Sequence, residues 1–329
     1  MNILQLTRIL RTMIGATPLL LMAAQVFAAA VDAYPEKPIR IIVPSAPSSG
    51  PDIIARLMGG KFTEAWGQQV VIDDRAGAAG TIASEIAARA APDGYTLELV
   101  TSQTLISTLF FEKLSFDLLR DFSPISLIAS TPYVLVSNPA VAATSVKELI
   151  ALAKAKPRAL HYGSSGTGGA LHLVGETFNM MADIKLMHVP YKSVVFAMID
   201  VMGGQIELAF AVVPAALPMI KQGKLKALGV TSLKRTPLAP DLETIAETVP
   251  GYEMIGWYGL VAPLKTPPAI IARLNAEINK ALNSAELREK LHGQGADATG
   301  TTPPAFASFM SAEMEKTRRT IKASGMSSN

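Results

Sequence analysis

The chain contains no cysteine in 329 residues. Disulfides, thiolate nucleophiles, iron–sulfur clusters and zinc ribbons are therefore excluded. Charge is scarce as well. Asp, Glu, Lys and Arg make up 17% of the residues, and the formal net charge is +3. No basic run occurs, so a phosphate-tracking stripe for nucleic acid is not expected. Aromatics account for 6%, and there are four histidines. Neither an H-E-x-x-H motif nor an EF-hand loop is present, and no metal or other cofactor is expected. What is abundant is aliphatic: hydrophobic residues reach 49%. Such a composition excludes disorder, and the length suits one large or two ordinary domains with an adequate core.

Long apolar runs are also missing, except at the start. Residues Met1–Arg11 carry Arg8 and Arg11 and no acid, and an apolar run, Met13–Phe27, follows. That run is shorter than the ~20 residues a membrane span needs. Ala28-Ala29-Ala30 and Val31-Asp32-Ala33 come next. Basic start, apolar middle and A-x-A end read as a secretory signal peptide over residues 1–33, cut after Ala30 or Ala33. An uncleaved anchor helix is the alternative. With no cysteine after the run, a lipid-anchored lipoprotein is excluded. A soluble exported protein of a Gram-negative periplasm is expected.

After residue 34, strands and helices alternate. Ile39–Val43, Val70–Asp74 and Tyr95–Val100 read as strands, with helices from Asp52 to about Trp66 and over Thr81–Ala90. Asp52 is expected to cap the first of these helices. The same grammar returns with strands at Tyr133–Val136, Leu160–Tyr162, Lys185–Val189, Ile206–Phe210, Lys226–Val230 and Trp257–Val261. Helices fall between them at Ser145–Lys156, Ala170–Met181, Val194–Met202 and Ala215–Gln222. The tail from Pro268 is helical: Ala269–Leu282, Ala285–Gly293 and Pro304–Lys322. Such β-α-β units predict parallel sheets covered by helices. Two α/β lobes with a helical tail fit better than a closed barrel, whose βα rhythm would not break.

In open α/β sheets, ligands sit at the carboxyl ends of strands. Two strand-to-helix loops are rich in Ser, Gly and Thr: Ser45–Asp52 and Gly163–Gly169. Glycines let backbone N–H groups come close to a ligand, hydroxyls add donors, and helix starts add unpaired N–H groups. A carboxylate is served by such a place without Arg or Lys. The expected donors are Ser45, Ser48, Ser49, Ser102, Ser164, Ser165, Thr167 and Ser193, with Gly163 and Gly166 in the loop. Ser102 enters because Thr101-Ser102 ends the strand at Tyr95–Val100.

Other chemistry is poorly supported. Gly163-Ser164-Ser165-Gly166 approaches a nucleophile elbow, but G-x-S-x-G fails at Thr167. His161, His172, His188 and His292 show no partnering pattern and read as structural. Gly166–Leu171 lacks the third glycine of a dinucleotide fingerprint, and Gly59-Gly60-Lys61-Phe62 is no P-loop. Asp73 and Asp74 point to opposite faces of a strand.

Several segments together resemble the Bug family of periplasmic solute receptors, which serve tripartite tricarboxylate transporters. They are Tyr34-Pro35-Glu36-Lys37-Pro38-Ile39-Arg40, Asp74-Arg75-Ala76-Gly77-Ala78-Ala79-Gly80, Ala91-Pro92-Asp93-Gly94-Tyr95-Thr96-Leu97 and Tyr162-Gly163-Ser164-Ser165-Gly166. His188-Val189-Pro190-Tyr191-Lys192, Gly223-Lys224-Leu225-Lys226-Ala227-Leu228 and Trp257-Tyr258-Gly259-Leu260 complete the set. The resemblance implies an α/β, two-lobed periplasmic-binding-protein fold of type II, with two doubly wound sheets joined by two crossover strands. Lobe 1 would hold residues 34–133 and 258–329, and lobe 2 residues 134–257. It also implies a small carboxylate held by main-chain amides, hydroxyls and water, and delivery to a membrane permease with one large and one small subunit. A non-enzymatic monomer is expected.

Departures from the family pattern bear on the ligand. Ser48-Ser49 replaces a usual Gly-Gly pair, Ser193 and Phe196 replace Gly and Pro, and Ala211 stands where an Asp often follows the phenylalanine. Without that acid, an amino group has no obvious partner. Val194, Val195, Phe196 and Ala211 would make the wall of lobe 2 apolar, and Phe196 or Trp257 would stack on a ring. The expected ligand is a carboxylate with an apolar or aromatic body. Two alternatives are a periplasmic sensor subunit and an exported hydrolase using Ser164 or Ser165.

Overall fold

The computed structural model describes residues 33–110 and 113–325. The segment read as a signal peptide lies, but for Ala33, outside the described residues. Among the described residues, no helix is long and apolar enough to cross a membrane.

The first half begins with β1 (Ile39–Val43), α1 (Gly50–Trp66), β2 (Val70–Asp74), α2 (Thr81–Ala88) and β3 (Thr96–Thr101). A short helix, α3 (Ser102–Thr108), follows directly. The three strands run parallel, with β1 between β2 and β3. Ile39, Ile41 and Val43 point into one core and Ile42 into another, so both faces of β1 are buried. That explains why all its residues but Arg40, which pairs with Asp73, are β-branched. Helix α1 starts two residues before the expected cap. Ser49 is its N-cap and Pro51 sits in its first turn, where a missing N–H costs nothing.

The largest departure from expectation is β4 (Phe122–Ser137), a strand of 16 residues of which only the last few were expected. Pro124 and Pro132 interrupt its pattern. Both fall where the ladder itself changes. Register shifts between Pro124 and Ser126, and the partners change after Pro132. Residues 122–132 pair with β9 (Ile255–Pro263). From Tyr133 onward, the strand pairs with β7 (Leu208–Val212) on one side and β8 (Lys226–Val230) on the other.

The second half adds α4 (Val146–Ala155), β5 (His161–Ser164), α5 (Ala170–Ala182), β6 (Met187–Pro190), α6 (Val194–Met202) and α7 (Val213–Lys221). Its strand order is β6-β5-β7-β4-β8, and that of the first half is β2-β1-β3-β9-β4. The result is one curled, mixed sheet in two α/β halves. The second crossing falls between Met254, whose N–H bonds Thr231, and Ile255, which pairs with Pro132.

Two helices, α8 (Pro268–Leu282) and α9 (Ala285–Gly293), then pack back on the first half, and a short β10 (Asp297–Ala298) pairs with β4. The last helix, α10 (Pro303–Ser324), does not belong to one half alone. Phe306, Met310 and Met314 join the core beside Trp257. Six residues beyond Met314, α10 reaches α5: Thr320 Oγ1 lies 3.2 Å from Thr177 Oγ1, and Ile321 packs on the second core.

Candidate ligand-binding site

Strand directions decide where a ligand can sit. β1, β2 and β3 are parallel, and Thr101 at the end of β3 pairs with Tyr258 near the start of β9. In the other half, β5, β6 and β7 are parallel, and Val212 at the end of β7 pairs with Tyr133 just past the crossing. Both sets of carboxyl ends therefore face the division between the halves. Contact across it is direct. Ile106 of α3 belongs to the core of the second half, and Phe110, beyond the end of α3, packs against it.

In the first half, the loop after β1 is held from below by Asp52. Its carboxylate accepts the Ser48 N–H at 2.8 Å, and Ser48 itself is left-handed, with φ 64°. Asp52 is only 2% exposed and pairs with Arg56 Nε at 2.7 Å. Burial alone would raise its pKa, but the bonds from Arg56 and Ser48 hold it below the ordinary value. Ser45 and Ser49 share a hydroxyl hydrogen bond of 2.6 Å. Beside them lies the turn after β2, where Gly77, Ala78, Ala79 and Gly80 all have positive φ. Ser107 of α3 donates to the Ala79 carbonyl at 3.1 Å, which ties this turn to the end of β3. Among the described residues, the N–H groups of Ala46, Gly50, Ala78 and Ala79 have no protein acceptor. The arginines that flank these loops are committed: Arg56 to Asp52 and Arg75 to Asp73.

In the second half, the loop after β5 is tied back at alternate amides. Gly166 N–H donates to Ser164 Oγ at 3.2 Å, and Gly168 N–H donates to His172 Nδ1 at 3.1 Å. The intervening N–H groups of Ser165 and Thr167 take no protein acceptor among the described residues. Gly166 and Gly168, at φ 124° and 74°, adopt conformations that a side chain would strain. The first N–H groups of α5 follow at once, adding the positive end of a helix. Each charge-assisted bond to a carboxylate is worth ~1.5–3 kcal/mol, so a few suffice for micromolar binding at about −8 kcal/mol.

The structure redistributes the residues singled out above. Ser45, Ser48, Ser49, Ser165, Gly166 and Thr167 lie on the two loops as expected. Ser193 is the N-cap of α6, accepting the Val195 N–H at 3.3 Å. Phe196 lies one turn along, 55% exposed, next to Val195 at 45%. Ser102 opens α3 beside the Tyr133 hydroxyl and lines a small inner cavity with Trp257 and Glu313.

Five expectations need correction. Ser164 is fully buried, and its hydroxyl is taken by His188 Nε2 at 2.6 Å and by Gly166. Gly163 is a packing residue, since a side-chain carbon there would stand 2.6 Å from Ala197. Ala211 points into the core with Val134, Val136 and Ala209 rather than into the cleft. Trp257 is 1% exposed and packs edge-on against Phe306 and Phe309. Alternation on a strand buried on both faces gives no sign of which face meets a ligand. The helix cap read at Asp52 is likewise a loop anchor instead.

Sequence reasoning also missed residues. His172 and His188 do have partners, with rings stacked at 3.7 Å and 12° beneath the glycine loop. Gly168 and His172 stand four apart at a helix start, a spacing that could have been read. His188 is brought in by the pairing of Tyr162 with His188 between β5 and β6, which is not local. The Gly77-Ala78-Ala79-Gly80 segment reads as a turn between a strand and a helix but is not among the expected ligand loops. Among the described residues, no group of three His, Asp or Glu could hold a metal ion.

Two α/β halves with amide-bearing loops at facing strand ends define a solute-binding protein of the two-lobed periplasmic class. The comparisons with known proteins agree. A family model described as the tripartite tricarboxylate transporter family receptor matches residues 54–326. The UPF0065 protein in the tcbD–tcbE intergenic region of Pseudomonas sp. strain P51 is 34% identical over 313 residues, covering 94% of this chain and 93% of that one. Protein BugT of Bordetella pertussis is 33% identical over 297 residues, covering 89% and 91%. Among solved structures, R. palustris Rpa4515 with adipate is 33% identical, with a TM-score of 0.73 over 89% of this chain and 99% of that one. The chain belongs to the tripartite tricarboxylate transporter receptor family, the Bug receptors.

Proposed function

We propose that this receptor works in the periplasm as a monomer, captures a small organic carboxylate between its lobes and hands it to the membrane permease of a tripartite transporter. The proposed lobes, expected at 34–133 with 258–329 and at 134–257, are supported by changes of strand pairing close to those bounds, between 132 and 133 and between 254 and 255. The observation that carries the reading is the second loop. Gly166 and Gly168 are tied back, which leaves Ser165 and Thr167 to present amide and hydroxyl to an anion. Flanking arginines are neutralised by Asp52 and Asp73, so the anion is held by dipoles and not by a paired cation. Exposed Val195 and Phe196 beside Ser193 support a ligand with an apolar body. The adipate in Rpa4515 is a dicarboxylate joined by a methylene chain, which is compatible with that description. Binding without turnover is proposed, because the Ser164 hydroxyl that meets His188 is buried.

A thermal-shift panel of aliphatic and aromatic mono-, di- and tricarboxylates on the mature protein tests this. A ligand at 100 times its dissociation constant adds about 2.7 kcal/mol of stability. Stabilisation by acids with a hydrocarbon or ring body is expected. Tight binding of citrate and succinate with no response to longer or aromatic acids would overturn the apolar-body reading. No response to any carboxylate would overturn the receptor reading.

A further inference from the structure

Both tied-back amides of the second loop end on one pair of imidazoles. Gly168 N–H reaches His172 Nδ1 directly, and Gly166 N–H reaches His188 through Ser164 Oγ. Because His172 Nδ1 accepts, it carries no proton. The ring proton is on Nε2, which lies 3.9 Å from the Glu176 carboxylate. The two rings are stacked at 3.7 Å, too close for both to be cationic without strong repulsion.

We propose that His172 is the positioning residue of the anion loop, and that protonating it turns the loop out of its binding shape, so that carboxylate capture weakens as the pH falls. This rests on the reading of residues 165–169 as the anion site. The mechanism is local. A proton on Nδ1 would face the Gly168 N–H donor to donor, the 167–168 peptide would have to rotate, and the amide of Thr167 would lose its direction. The titratable groups that face the pair are Glu176 from α5 and Tyr162 from β5. They are joined to each other by a 2.7 Å hydrogen bond, and the Tyr162 ring lies 5.2 Å from that of His188. Burial lowers the pKa of His172, with Glu176 opposing, and burial plus the neighbouring imidazole pushes His188 down to about 4. The neutral pair is thus the resting state, and acidification is what disturbs it. A bound anion would pull the other way, by favouring an imidazolium, so the sign of the pH effect separates the positioning role from simple charge attraction.

The decisive experiment uses the ligand-free protein. Nitrogen-15 NMR follows the Gly168 amide and the His172 ring from about pH 7.5 to about pH 4. The Gly168 resonance is expected to move with the midpoint of the His172 ring and to lose that step in His172→Asn, whose Oδ1 replaces Nδ1 as acceptor. A Gly168 amide indifferent to His172 would overturn the proposal. Calorimetry with adipate as probe adds the functional arm. His172→Asn should bind within about threefold of wild type near neutral pH, and His172→Phe about tenfold more weakly. On acidification through the midpoint of the His172 ring, wild type should lose several-fold more affinity than His172→Asn, a difference in which the titration of adipate itself cancels. Equal binding by His172→Phe, or wild-type affinity rising relative to His172→Asn, would overturn it. If adipate fails to bind wild type, the proposed ligand class is at fault, and the Gly168 titration still decides this inference.

Discussion

The loop of the first lobe is anchored by a carboxylate, and the loop of the second by two imidazoles. Asp52 accepts the Ser48 N–H while paired with Arg56; His172 and Ser164, the latter backed by His188, accept the Gly168 and Gly166 N–H groups. The backbone differs in the same way. The first lobe forces two alanines into left-handed φ, Ala78 at 43° and Ala79 at 51°, whereas the second uses Gly166 and Gly168. Each left-handed alanine costs roughly 1–2 kcal/mol, so the first lobe stores strain that the second avoids. Asp52 keeps its charge through the neutral range, whereas the imidazole that accepts the Gly168 N–H is the proposed point of release by a proton.

The contrast can be broken, first and most strongly, through proton response. Glu98 of β3 is completely buried against Ser84, and burial pushes its pKa up to about 8. A carboxyl raised above its unfolded value of 4.5 adds stability that is complete at low pH and is lost as pH rises toward 8. His188, lowered from 6.5 to about 4, has the opposite sign: its stability is complete above 6.5 and is lost as pH falls. Urea denaturation across pH should show Glu98→Gln removing the stability loss that builds between about pH 4.5 and 8, while the loss on acidification below 6.5 through His188 remains. An unchanged profile between about pH 6.5 and 8 would mean that Glu98 is not the first lobe's proton site.

Next in size is the anchor itself. Asp52→Ala strips Arg56 and the Ser48 N–H of their buried acceptor and should cost about 2 kcal/mol in urea denaturation. His172→Phe in the second lobe removes one neutral acceptor and should cost about half as much. Equal losses would erase the distinction between the anchors.

Smaller effects come from the backbone. Gly166→Ala, at φ 124°, should destabilise by about 1 kcal/mol, while Ala79→Gly should stabilise by up to about 1 kcal/mol. Thermal denaturation of the two variants should therefore move in opposite directions. Same-sign shifts would contradict the strain assigned to the first lobe. Smallest of all, Ser165→Ala and Thr167→Ala should each weaken carboxylate binding about threefold with no loss of stability, because the amides remain. Loss of all binding in either would assign the anion to hydroxyls instead.

Much of this was legible in the residues. A largely β-branched run between prolines marked β1, and the serine at its start marked α4. The two Ser-, Gly- and Thr-rich loops could be placed between a strand and a helix from their residues alone. What escaped was long-range or ambiguous. Pro124 and Pro132 hid a continuous strand, because a proline at a register shift looks like a proline at a strand end. Ser164 looked as available as Ser165, since only the pairing of β5 with β6 brings His188 under it. Trp257 and Ala211 looked available because a strand buried on both faces does not announce its neighbours.

The most direct test of the shared claim, that dipoles and hydroxyls hold the anion, is a crystal structure of the protein with whichever carboxylate most raises its melting temperature. Carboxylate oxygens should lie within about 3 Å of the Ser165 and Thr167 N–H groups, with no Lys or Arg in contact. A carboxylate seated on a basic side chain, bridged by a metal ion, or lodged away from the division between the lobes would contradict the account.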